Sequence, residues 1–135
     1  MDTEALVDDQ IEDCRKLLEA LAAAGFEMSA AFWMRRNDDG KWRFYIVSPL
    51  VDSAGIFEAY GRVQPLIRRR VYPPWADPAD VRLIGPSDPL AKDVLAIYAG
   101  PRAPRDHPIH WKGIWLGKAS IDGAYLYPLP AAATV

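Results

Sequence analysis

Apolar residues near the start of the chain recur at helical spacing. Val7, Ile11, Cys14, Leu18 and Leu21 are separated by 4, 3, 4 and 3 positions, which puts them on one face of an α-helix over residues 4–24. Asp2 or Thr3 is placed to cap its free N–H groups, and Glu4, Asp8 and Asp9 suit the positive end of its dipole. Gly25 supplies the residue that ends it. Cys14 sits on the apolar stripe, so it reads as a small buried hydrophobe and not as a reactive thiol.

The period then changes from helical to alternating. Met28–Arg36 and Lys41–Ser48 are rich in aromatic and β-branched residues, and Asn37-Asp38-Asp39-Gly40 between them is turn chemistry. Ala31, Trp33 and Arg35 share one face of this hairpin with Trp42, Phe44 and Ile46. Phe32, Met34, Tyr45 and Val47 lie on the other. A hairpin with one wet side alternates apolar and polar positions, whereas this one is apolar on both. Each face therefore needs a cover. The first helix serves one face, and the other calls for a second helix, a partner subunit or a ligand.

Beyond the hairpin, Pro49 breaks the strand ladder. Asp52 or Ser53 is then placed to cap a second helix over residues 53–64, with Ile56, Phe57, Tyr60 and Val63 as its stripe. Pro65 kinks or restarts it toward Arg68. Residues 71–80 form a proline-rich loop whose Tyr72 and Trp75 want burial, and Val81–Ile84 reads as a short strand. Asp88 and Pro89 open a third helix, striped by Leu90, Val94, Ile97 and Tyr98 and stopped at Gly100-Pro101. The last strands are Ile109–Ile121 and Ala124–Tyr127, with Asp122-Gly123 as a tight turn between them. Pro128 and Pro130 end the sheet at a protected edge, and residues 131–135 fray. The stretches from Phe44 to Gly61 and from Val81 to Gly100 both run strand, proline, acidic cap, helix, tyrosine and glycine. Ordinary strand-to-helix grammar explains that echo without a duplication.

The order is thus α-β-β-α-β-α-β-β. It describes an α+β fold, a single mainly antiparallel sheet of about five strands with two to three helices packed on one face. One compact domain spans residues 1–130. Composition agrees: of 135 residues, 50% are hydrophobic and 25% charged, with a net charge of −2, enough apolar content to offset ordering entropy. No apolar run reaches membrane-spanning length. The acidic opening is unlike a signal peptide, so a cytoplasmic protein is expected. The charge is unevenly spread. Residues 1–25 carry seven acids against two bases, whereas residues 61–75 hold Arg62, Arg68, Arg69 and Arg70 and no acid.

Motifs that need particular spacing are missing. There is no glycine-rich phosphate loop, no serine elbow and no cysteine pair, so no cofactor is expected. His107 and His110 are weak metal candidates, because Pro108 forbids the helix that would put residues three apart on one face. Ser48, Asp52 and Tyr60 gather near the end of a central strand, where ligands commonly sit, though capping explains them as well. The basic patch of Arg62, Arg68, Arg69 and Arg70 with Trp75 suits phosphates and stacked bases. Against it, the pI of about 5.6 is low for a nucleic-acid-binding domain.

Three readings follow. The leading one is a small non-enzymatic interaction or accessory module that self-associates as a homo-oligomer or binds a partner protein, since large apolar patches are seldom left bare. A second is a small enzyme or ligand-binding domain with a pocket near Ser48, Asp52 and Tyr60. The third is a nucleic-acid accessory protein using Arg68–Arg70.

Overall fold

The computed structural model of the chain describes residues 8–36, 40–68, 81–101, 103–105, 107–116 and 119–129. The caps expected at Asp2 or Thr3, the turn residues 37–39, the 71–80 loop and the 131–135 tail lie outside them. In chain order the elements are α1 (Asp8–Ala23), β1 (Ala30–Arg36), β2 (Trp42–Val47), α2 (Pro49–Ala54), α3 (Ile56–Arg68), β3 (Val81–Ile84), α4 (Pro89–Tyr98), β4 (Ile109–Leu116) and β5 (Ala119–Leu126). The strands form one sheet in the order β3-β2-β1-β5-β4. Its ladders are antiparallel except between β2 and β3, which run parallel. The α+β expectation therefore holds, with a mixed sheet.

Local chemistry sets the helix ends. Gly25, at φ 81, closes α1 in a Schellman motif: its N–H donates to Ala22 O at 3.0 Å, and Phe26 N–H donates to Leu21 O at 2.9 Å. The second helix departs from expectation. Ser48, and not Asp52 or Ser53, is the N-cap of α2, its Oγ accepting from Leu50 N–H at 3.2 Å with Pro49 behind it. The residue just after β2 already has the extended backbone that a cap needs, so the helix begins at Pro49, four residues before the expected start at residue 53. Gly55, at φ 93, then divides α2 from α3. Pro65 lies inside α3 without ending it. Both Pro65 and Gly61 are exposed, so water can serve the carbonyl that the proline leaves unpaired. At α4 the expected cap is present, Asp88 Oδ1 accepting from Leu90 N–H at 2.9 Å.

The helices lie on both faces of the sheet, which corrects the one-face arrangement. On one side Leu17, Leu18 and Leu21 of α1 and Ala59, Val63 and Ile67 of α3 bury against Trp33, Phe44, Ile46 and Leu83. On the other, Ala91 and Val94 of α4 bury with Phe32, Met34, Val47, Ile121, Ala124 and Leu126. The second apolar face of the hairpin is thus buried within the chain. Surplus apolar surface no longer argues for self-association.

The final hairpin also differs. The β4–β5 ladder runs on to the pair Leu116 and Ala119, and Asp122-Gly123 falls inside β5. Turn-forming residues serve packing there. The register slips beside Arg35 and Arg36, and the Asp122 carboxylate meets the Arg35 guanidinium at 3.4 Å. Gly123 admits the Trp42 ring, which a Cβ would approach to 2.7 Å. Glycine inside a strand commonly marks such a bulge or close approach. β5 is an interior strand, so Pro128 guards no edge.

Three tyrosine hydroxyls tie helices to this sheet. Tyr127 accepts from Trp33 Nε1–H at 3.0 Å and donates to Ile11 O of α1 at 2.7 Å. Tyr98 of α4 reaches Tyr127 O at 2.7 Å and Ala31 O at 2.9 Å. Tyr60 of α3 accepts from Leu83 N–H at 3.1 Å and donates to Val81 O at 3.3 Å. Burial pushes the phenols of Tyr98 and Tyr127 well above the ordinary value, so both stay protonated donors. The substitution Tyr127→Phe keeps the ring but leaves the buried Trp33 N–H without its acceptor. We expect it to lower stability by about 1–3 kcal/mol. Urea denaturation would show this as a lower midpoint at unchanged slope.

Candidate functional site

Two places among the described residues have the shape of a site. The first is the crevice at the carboxyl ends of β2 and β3. These neighbours are parallel, yet the helices that follow them depart to opposite faces. Open sheets commonly bind ligands at such a divergence. Here protein groups occupy it. Asp52 of α2 crosses to the turn after β3, where Oδ2 accepts from Ser87 N–H at 3.1 Å and Oδ1 from Ser87 Oγ at 2.9 Å. Gly85 makes room for that carboxylate, since a Cβ there would lie 2.1 Å from Asp52 Oδ1. Ser48 is fully buried and spent on its cap. Tyr60 lies along the outer edge of β3, its hydroxyl standing in for a missing strand. Ser48 and Asp52 thus share α2 and its cap, Tyr60 belongs to α3, and all three make bonds that hold elements together.

The second place is a groove of about 320 Å³ between α1 and the β4–β5 end of the sheet. Its helix wall is Ile11, Glu12, Arg15 and Glu19, its floor is Tyr125 and Tyr127, and its far wall is Pro108 and Pro128. The floor rings meet edge to face at 5.0 Å, and His110, paired across the strands, meets Tyr125 at 5.7 Å. Two acids hold the helix wall. Arg15 donates through Nε and Nη2 to both oxygens of Glu12 and through Nη1 to Glu19 at 2.9 Å. That hydrogen bond holds the Glu12 carboxyl below its ordinary 4.5 and raises the Arg15 guanidinium further. Among the lining residues two carboxylates thus face one guanidinium, and Lys16, outside the lining, acts on Glu12 from the same helix.

Sequence reasoning did not assemble this groove, because its residues come from α1, the approach to β4, and β5 with the residues after it. Two partial signals exist. Glu12, Arg15 and Glu19 stand 3 and 4 positions apart, the spacing of a helical charge row. Tyr125 and Tyr127 stand two apart, on one face of a strand.

Arg62 pairs with Glu58 at 3.5 Å and Arg68 ends α3, while Arg69, Arg70 and Trp75 lie outside the described residues. His107 and His110 are both exposed. Among the described residues no three of His, Cys, Asp and Glu are grouped as metal ligands. Cys14 is buried, and burial pushes its thiol up, away from the reactive thiolate. No described helix is long and apolar enough to cross a membrane.

The crevice makes a direct mutational prediction. Gly85→Ala should cost about 1–3 kcal/mol, because the new methyl must displace Asp52. In an Asp52→Ala background the same change should cost less, with a coupling on the order of 0.5–3 kcal/mol between the two sites. A double-mutant cycle from chemical denaturation measures it. Comparison with protein-family models, curated proteins and solved structures returned no match for this chain.

Proposed function

We propose that this protein is a non-enzymatic interaction module, which binds an extended segment of a partner protein in the groove between α1 and the β4–β5 end of the sheet. The observation that carries this reading is the groove's lining. Two tyrosines, two prolines and Ile11 line it together with three charged residues, all three of them on α1. Extended peptides, especially proline-containing ones, dock in aromatic-lined channels of this kind. Tyrosine suits such contacts because it offers a large face with little conformational entropy to lose. The volume lies at the small end of the roughly 300–1,000 Å³ that ligand sites occupy, which suits side chains of a peptide better than a bulky cofactor. Support also comes from the other titratable groups. The thiol is buried, and both oxygens of the strand-end carboxylate of Asp52 accept from Ser87, so each already has a structural use.

The groove also differs from the remaining apolar surface. Among the described residues the exposed large hydrophobics are Ile56 and Phe57 at the start of α3. They follow Gly55 at the corner between α2 and α3, apart in the chain from the groove residues of α1 and β5.

Selection of random peptides displayed against the immobilised full chain tests the proposal. Tyr125→Ser and Pro128→Ala variants, each first shown to unfold cooperatively, serve as counter-targets. We expect enriched peptides that bind the wild-type chain and lose binding to both variants. Failure of any sequence to enrich, or equal binding to the variants, overturns the reading.

A further inference from the structure

We infer that the segment bound in this groove is basic, a lysine or arginine side chain set among apolar or proline residues, with its cation held by Glu12 and Glu19 over the Tyr125 ring. The inference rests on the reading of the groove as a peptide site, and it adds the chemistry of the occupant.

Charge is the first argument. Glu12 and Glu19 flank a single guanidinium, so the lining itself carries one more carboxylate than cation, Lys16 lying outside it. Arg15 is already engaged. Three of its five N–H donors go to the two glutamates. An acidic or phosphorylated segment would meet a guanidinium already neutralised by two carboxylates, and would stand beside both of them. A cation meets carboxylate oxygens that have lone pairs to spare, since each carboxylate offers about four acceptor positions.

Position reinforces charge. Glu12 and Glu19 stand beyond the first turn of α1 as described, where the positive helix dipole has faded and no longer opposes a cation. The two glutamate side chains are 51% and 57% exposed. They can turn toward a ligand without uncovering the core.

The floor supplies the second argument. Tyr125 presents a half-buried ring between the rim and His110. An ammonium or guanidinium near an aromatic face is attracted by the ring quadrupole. The aliphatic stem of a lysine or arginine can lie along Ile11 and the prolines while its head stays at the wet rim. One side chain thereby satisfies the apolar floor and the acidic edge together. An uncharged apolar residue would use only the floor.

The test is a nuclear magnetic resonance titration of the full chain at low ionic strength. It uses three alanine–proline peptides that differ only in carrying two lysines, two glutamines or two glutamates. We expect the lysine peptide to shift the amides of Tyr125, Tyr127 and His110 and to bind about threefold to tenfold tighter than the glutamine peptide, as for one or two exposed ion pairs. The advantage should shrink with added salt. In the double variant Glu12→Gln, Glu19→Gln, Arg15 is freed and the preference should reverse toward the glutamate peptide. A purely structural role for the glutamates would not invert a ligand preference. Equal binding of the lysine and glutamine peptides, or tighter binding of the glutamate peptide by the wild type, overturns the basic-segment inference and leaves the groove reading standing. Absence of groove shifts with all three peptides overturns both.

Discussion

Strand β1 is buried on both faces and bonded along both edges, and the rest of the molecule is arranged to make that possible. Ala30 through Met34 are each at most 1% exposed. A backbone so enclosed must find every partner inside the protein, and β2 and β5 supply them. Its side chains then need cover in two directions, which is why α1 and α3 occupy one layer and α4 the other. Alanines at 30 and 31 leave the start of the strand narrow. Phe32, Trp33 and Met34 fill the layers farther along, with Phe32 stacked on Tyr45 at 5.1 Å and Trp33 tilted against Phe44 at 5.4 Å.

Such a core would be oily and poorly specified without polar fixtures. The tyrosine hydroxyls provide direction, because a hydrogen bond has preferred geometry and apolar contact does not. Each joins a helix to a particular point of the sheet. Tyr127 has a second duty, since its ring shares the groove floor while its hydroxyl anchors α1. The floor is therefore rigid and keyed to the helix that forms the opposite wall. A preformed site loses less entropy on binding than one that must be ordered by its ligand.

The parts legible in the sequence were those written in a local period. The stripe from Ile11 to Leu21 identified α1, and the doubly apolar hairpin identified strands that needed two covers. The cap at Asp88 and Pro89 was plain from residue type alone. Elements set by distant partners were not legible. Asp122-Gly123 has the composition of a turn, but Trp42 on another strand decides its use. Asp52 has the composition of a cap, but Ser87, 35 positions away, claims its carboxylate. The parallel pairing of β2 with β3 leaves no mark in the period of either strand. The groove was hidden for the same reason, since no single stretch of chain contains more than one of its walls.

The two edges of β1 close at very different points along the chain. Its ladder to β2 is local, whereas Trp33 and Tyr127, joined across the ladder to β5, stand 94 positions apart. On a ribosome adding about 5–20 residues per second, the first hairpin waits for seconds with one apolar edge open. Only the arrival of β5 seals it. During that interval the open edge of β1 is exposed to mispairing, and the pairing with β5 ends it.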